Sequence, residues 1–253
     1  MRKIIVYGFL ILFLLPVVVR ASLYAVAQHP ASWRDADWSS AGMLPPAGAD
    51  PRARVLVLSG RAGGLKGILA VHSWIVLKWA NAGAWMRYDV VGWGTPVRIN
   101  NWPADGRWYG STPTIVADVV GGKAEALIPK IEAAVKDYQY DHAGDYRIWP
   151  GPKSNTFVAD VLRAVPELDA ELPPNAIGRD FRALPHAGLS DSRTGIEVNL
   201  WGVLGLKLGL DEGVEINVLG LVAGLDLRHP ALKLPGFGRI GFANATAVAA
   251  QNP

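Results

Sequence analysis

An uninterrupted apolar run from Ile4 to Val19 opens the chain, with Arg2 and Lys3 before it and Arg20 after it. As a helix it spans roughly 24 Å, short of the roughly 30 Å of a bilayer's hydrocarbon core. Arg20 can reach the interface with its long stem and Ala21 to Ala27 extend the segment, which closes the difference. The same stretch has signal-peptide anatomy: a basic start, an apolar centre, and Ala25-Val26-Ala27 resembling a cleavage site. A retained anchor and a cleaved signal both stay open for residues 1–27. Because the leading charges favour the inside, either one sends the rest of the chain out of the cytoplasm. The expected location is the inner membrane, with the main domain on the periplasmic or extracytoplasmic side.

Residues 28–52 are rich in Pro, Gly, Ala and Asp and read as a linker. Within it, "SWRDADWSSAGMLPP" either packs on the domain or rests at the bilayer interface. From Arg54 the pattern turns strand-like: "RVLVLS", "ILAVHSWIVLKW", "AWMRYDVVGWG" and "TPTIVADVVG" are short, β-branched and apolar. "ANAGA" supplies a hairpin connection, and "DGRWYG" a turn that exposes Asp105 and Arg107. Between Lys123 and Tyr138, Ala124, Leu127, Ile128, Ile131 and Val135 recur at helical spacing. Pro129 inside that pattern predicts a kink or a second helix start. Another helix runs from about Asn155 to Val165, with Phe157, Val158, Val161 and Leu162 inward. Further on, "GIEVNLWGVLGLKLGL" and "GVEINVLGLVAGLDL" meet at Asp211-Glu212-Gly213 and predict a Gly-rich β-hairpin. An exposed apolar hairpin invites aggregation, so it should be covered by the domain, a partner or lipid, with burial against the domain expected first. The layout is an α+β core over 53–182 and a Gly-rich β-hairpin extension with a tail over 183–253.

Composition changes this picture in three ways. Half of the 253 residues are apolar and 19% are charged, the balance of a folded protein. A net charge of +3, with no basic block interleaved with aromatics, argues against nucleic acid as a partner. The absence of cysteine excludes disulfides, thiolate metal sites and a cysteine nucleophile. His29, His72, His142, His186 and His229 show no metal-ligand spacing, and no motif calls for a cofactor. Many of the ten tryptophans cluster between Trp74 and Trp108, as core packing, an aromatic-lined cleft or a membrane-facing rim.

His72 sits mid-strand between Val71 and Ser73, and Asp89 falls in the neighbouring strand. A buried acid is costly without a partner, so strand pairing would let Asp89 orient the imidazole. Ser154 opens the second helix, where free N–H groups favour a developing anion, and serine needs an adjacent base to attack a carbonyl. His72, Asp89 and Ser154 are therefore candidate catalytic residues, weighed against a core histidine and a plain helix cap. Trp74, Arg107, Trp108, Asn155 and Arg179 are candidate binding residues. Arg179 beside Asp180 reads as an ion pair, and either arginine could recognise a carboxylate or phosphate.

"AVHSWIVLKW", "RYDVVGWG", "DGRWYG", "WPGPKSNTFVADVL" and "LPPNAIGRDF" resemble the bacterial family catalogued as domain of unknown function 3750, from about Trp33 to Phe242. Lys153 departs from the asparagine of that motif. A strand histidine followed some eighty residues later by "KSNTFV" is also similar to circularly permuted papain-like (NlpC/P60-type) folds, with Ser154 at their cysteine position and His72 at their histidine position. That resemblance implies a papain-like core of antiparallel strands with helices. It implies a hydrolase or acyltransferase acting on an amide or ester of a cell-envelope substrate or lipid, with Ser154 as nucleophile, His72 as base and Asp89 as orienter. The alternatives are a catalytically inactive module binding an envelope ligand and a structural membrane-associated protein.

Overall fold

A computed structural model describes residues 2–241. Met1 and residues 242–253, with Phe242 and the end of the tail, lie outside the described residues. At the N-terminus, α1 (Arg2–Phe9), a π-helical turn (Leu10–Leu14) and α2 (Leu15–Val26) follow one another without a break. Val6–Val26 within this stretch is long and apolar enough to cross a membrane, and little of it is buried. It is consistent with an anchor or a signal sequence.

The first sheet has five antiparallel strands, β1 (Arg54–Arg61), β2 (Val71–Lys78), β3 (Met86–Val90), β4 (Val97–Ile99) and β5 (Thr114–Val120), in the order β4-β3-β2-β1-β5. β1 and β2 are apolar on both faces because both faces are covered. On one side Val55, Val57, Ile75 and Leu77 pack against α3 (Gly122–Lys136) and α4 (Ser154–Ala164) through Leu127, Ile128, Ile131, Phe157 and Val158. On the other side Leu56, Leu58, Trp74 and Val76 pack against Trp108, with Trp38 and Trp102 beside it. α3 runs through Pro129 as one helix. Pro129 lies on its exposed side, where water can satisfy the carbonyl left without a donor.

The second half of the linker packs on this domain. Asp105 is buried, not exposed at a turn tip. It accepts from Ser40 Oγ at 2.7 Å, Met43 N at 2.7 Å and Leu44 N at 3.1 Å, and Trp38 meets Trp108 edge-on at 5.1 Å.

The C-terminal region is larger than a hairpin. Strands β6 (His186–Leu189), β7 (Gly195–Leu200), β8 (Leu204–Gly209), β9 (Gly213–Val218), β10 (Leu221–Asp226), β11 (Ala231–Leu234) and β12 (Gly238–Gly241) form a seven-stranded antiparallel meander. Each long segment anticipated as one strand is itself a hairpin. Trp201 and Gly202 turn the first at φ 54° and 70°, and Leu219 and Gly220 turn the second at φ 57° and 84°.

The expected burial of the apolar side is also reversed. Glu197, Asn199, Lys207, Glu215, Asn217 and Lys233 are buried, while Ile196, Val198, Leu206, Leu208 and Ile216 are exposed. The reason is charge pairing. The segment after α4 brings Arg179, Asp180 and Arg182 under the sheet, where Lys207 meets Asp180 at 2.7 Å, Arg182 meets Glu197 at 3.3 Å and Arg179 meets Glu215. Unpairing such buried charges is expensive, so the polar face goes inward.

Candidate functional site

β2 and β3 place the chemistry-bearing residues by simple alternation. His72, Trp74 and Val76 share one face of β2, and Ile75 and Leu77 share the other. Val76 pairs with Arg87, which puts Arg87 and Asp89 on the face of His72 and Trp74. His72 and Asp89 are thus brought together: His72 Nε2 donates to Asp89 Oδ1 at 2.8 Å.

Arg87 completes the cluster. Its Nε donates to Asp89 Oδ2 at 2.6 Å, its Nη2 to Asp89 Oδ1 at 3.0 Å and its Nη1 to the Pro103 carbonyl at 2.7 Å. The guanidinium lies 4.1 Å from the Trp74 ring centroid, and Trp74 Nε1 donates to the Ala104 carbonyl at 2.9 Å. Trp108 closes the cluster by stacking on His72, centroids 3.6 Å apart and planes 3° from parallel. Arg87 was legible only as the Arg-x-Asp spacing that puts both side chains on one strand face.

Burial sets the protonation of the pair. It pushes the His72 imidazole down, against the opposing effect of the hydrogen bond that the ring donates to Asp89, so the ring is held neutral. Burial also pushes Asp89 up, but the charge of Arg87 and the bonds from His72 and Arg87 outweigh it and hold the carboxyl below its ordinary value. This is an ionised acid gripping a guanidinium, with a neutral imidazole as second donor.

Ser154 is not part of that arrangement. It is the first residue of α4, on the face of the sheet opposite His72. The helix start does reach β2, but through Asn155, whose Nδ2 donates to the Val71 carbonyl at 2.8 Å and the Ile177 carbonyl at 2.9 Å. The residue in the capping position is Lys153, and no side chain caps the helix. Among the described residues the Ser154 hydroxyl has no hydrogen-bond partner.

The candidate binding residues are internally engaged. Trp74 and Trp108 are buried. Arg107 ties the linker down through the Ser40 carbonyl at 2.5 Å and Ser39 Oγ at 3.1 Å. Arg179 is buried among Glu171, Glu215 and the Leu172 carbonyl, and its Nε lies 3.6 Å from Asp180. A cavity of about 300 Å³ opens between the end of α3, α4 and Phe181, lined by Tyr138, Tyr140, Asp160 and Arg182. None of the eight candidate residues lines it.

These features define an α+β protein in which a helix-covered antiparallel sheet is joined to a second, polar-inside sheet and led by one long apolar helix. The chain belongs to the family described as Protein of unknown function (DUF3750), whose model matches residues 52–181. That span covers the five-stranded sheet, α3, α4 and the segment carrying Arg179, and leaves out the seven-stranded sheet. No curated protein and no solved structure matches the chain.

Proposed function

We propose that this is a structural, membrane-associated protein of the cell envelope. The N-terminal helix holds it at the inner membrane with the folded domain on the extracytoplasmic side, and the His72 cluster stabilises the fold. The observation that carries this reading is the closed position of His72, bonded to Asp89 and covered by Trp108 on the sheet face away from α4. A general base must reach the proton that it abstracts, and this imidazole faces away from the helix that Ser154 opens. The test is labelling of the full chain with an alkyl fluorophosphonate, followed by mass spectrometry. No adduct on Ser154 is expected. An adduct that disappears in His72→Gln would overturn the reading.

A second reading keeps the papain-like resemblance and an envelope hydrolase or acyltransferase. One observation favours it: Lys153, adjacent to Ser154, is buried, which pushes its ammonium down to about 8, within the range of a useful general base. The same labelling decides. An adduct on Ser154 kept in His72→Gln but lost in Lys153→Met would install Ser154 and Lys153 as the reacting pair.

A further inference from the structure

The outward face of the seven-stranded sheet is continuous. One cross-strand row runs from Leu189 through Ile196, Leu208 and the half-buried Val214 to Leu225, Leu232 and Ile240. The six other than Val214 are between 41% and 61% exposed, on a sheet whose other face is occupied by buried ion pairs. The sheet cannot turn its apolar side inward without unpairing Lys207, Glu215 and Arg179. So large an apolar patch marks an interaction site.

The N-terminal helix identifies the occupant. Its π-helical turn, with Phe13 buried, packs on β10. Ala223 of that strand, on the outward face by its pairing with Ile216, is 2% exposed. Ile11 and Leu12 stay exposed on the helix as Leu225 does on the sheet. A segment apolar enough to cross a membrane and an apolar sheet face thus form one surface, and one solvent must serve both. At one end of the sheet, by the β7–β8 and β9–β10 turns, Trp201 and Trp149 are half exposed. Trp149 Nε1 donates there to the Leu219 carbonyl at 3.0 Å. Amphipathic rings of this kind favour the headgroup level.

We infer that the outward face of β6–β12 is seated in the acyl-chain layer of the membrane that holds the N-terminal helix. The inference rests on the membrane-associated reading and names its lipid contact. Immersion to a depth of about 5–10 Å, usual for elements lying in an interface, takes the side chains into hydrocarbon. It leaves the edges of β6 and β12, open among the described residues, near headgroups and water, which unpaired backbone groups require.

The absence of cysteine makes every introduced thiol unique. The full chain, carrying a fluorophore at Leu206→Cys, Leu232→Cys, Ile11→Cys or Lys130→Cys, is placed in phosphatidylethanolamine–phosphatidylglycerol vesicles. Quenching by bromines on the lipid acyl chains is compared with quenching by aqueous iodide. At 206 and 232 acyl-chain quenching should come within about twofold of that at 11, and iodide quenching should fall about fivefold or more below that at 130. Iodide access at 206 and 232 with lipid quenching at 11 sinks the sheet inference and leaves the anchor standing. Iodide access at all four positions removes both. Protection at 206 and 232 from both quenchers means that a second copy covers the face, and overturns lipid contact.

Discussion

Replacing Asp89 with asparagine keeps the shape of the side chain and removes the charge on which Arg87 and His72 converge. Arg87 is fully buried, and two of its three side-chain hydrogen bonds end on Asp89. Without that carboxylate the guanidinium keeps the Pro103 carbonyl and the rings of Trp74, Trp102 and Trp108, but no negative charge. Breaking a buried pair from one side costs about 3–5 kcal/mol, against a total stability of about 5–15 kcal/mol. At about 2–4 °C per kcal/mol for a chain of this size, Asp89→Asn should lower the melting temperature by about 6–20 °C. The low end applies if the asparagine oxygen still accepts from His72. Tryptophan fluorescence in thermal and urea unfolding of the full chain in mild detergent reads the change directly. Arg87→Met added to Asp89→Asn should recover much of the loss, since no charge is then left unpaired. A loss below about 1 kcal/mol, the range of an exposed ion pair, would refute the reasoning.

The pH dependence follows from His72, whose folded pKa lies below its ordinary value of 6.5. Between the two values the unfolded chain binds the extra proton, so this contribution is complete above pH 6.5 and is lost as pH falls below it. Urea titrations from pH 8 to pH 5 should show that slope as the difference between the native protein and His72→Gln, because Glu171, raised to about 7 by burial, contributes with the opposite sign to both. Gly202→Ala should cost about 1–3 kcal/mol, because φ is +70° and the added Cβ meets Phe181 N at 2.8 Å; an unchanged urea midpoint would count against the tight turn. Ser154→Ala should shift stability by less than about 0.5 kcal/mol, since its hydroxyl holds no partner, and a larger loss in the same titration would reveal one.

The strands around His72 and Asp89 were readable from their β-branched runs, and so was the acid's need for a partner. Which face each residue takes was not readable. β1 and β2 are buried on both sides, so alternation of apolar and polar positions could not say which side carries α4. Ser154 therefore reads as converging on His72, whereas α4 meets β2 through Asn155, Phe157 and Val158 on the opposite face. β4 has three residues, too few for a period to show. In the second sheet the turns at Trp201-Gly202 and Leu219-Gly220 put bulky apolar residues at positive φ, where asparagine or aspartate usually announces the turn. The alternation in "GIEVNL" was visible, but the apolar-inward rule inverted because Arg179, Asp180 and Arg182 supply partners for the polar side.

The central claim is that His72 is a closed structural donor. Modification of the intact chain by diethylpyrocarbonate, followed residue by residue by mass spectrometry, tests it most directly. His142, with 88% of its side chain exposed, serves as the internal reference. His72, neutral, bonded to Asp89 and stacked under Trp108, should remain unmodified while His142 reacts to completion. Reaction of His72 at a rate comparable to that of His142, with the fold intact, would contradict the account.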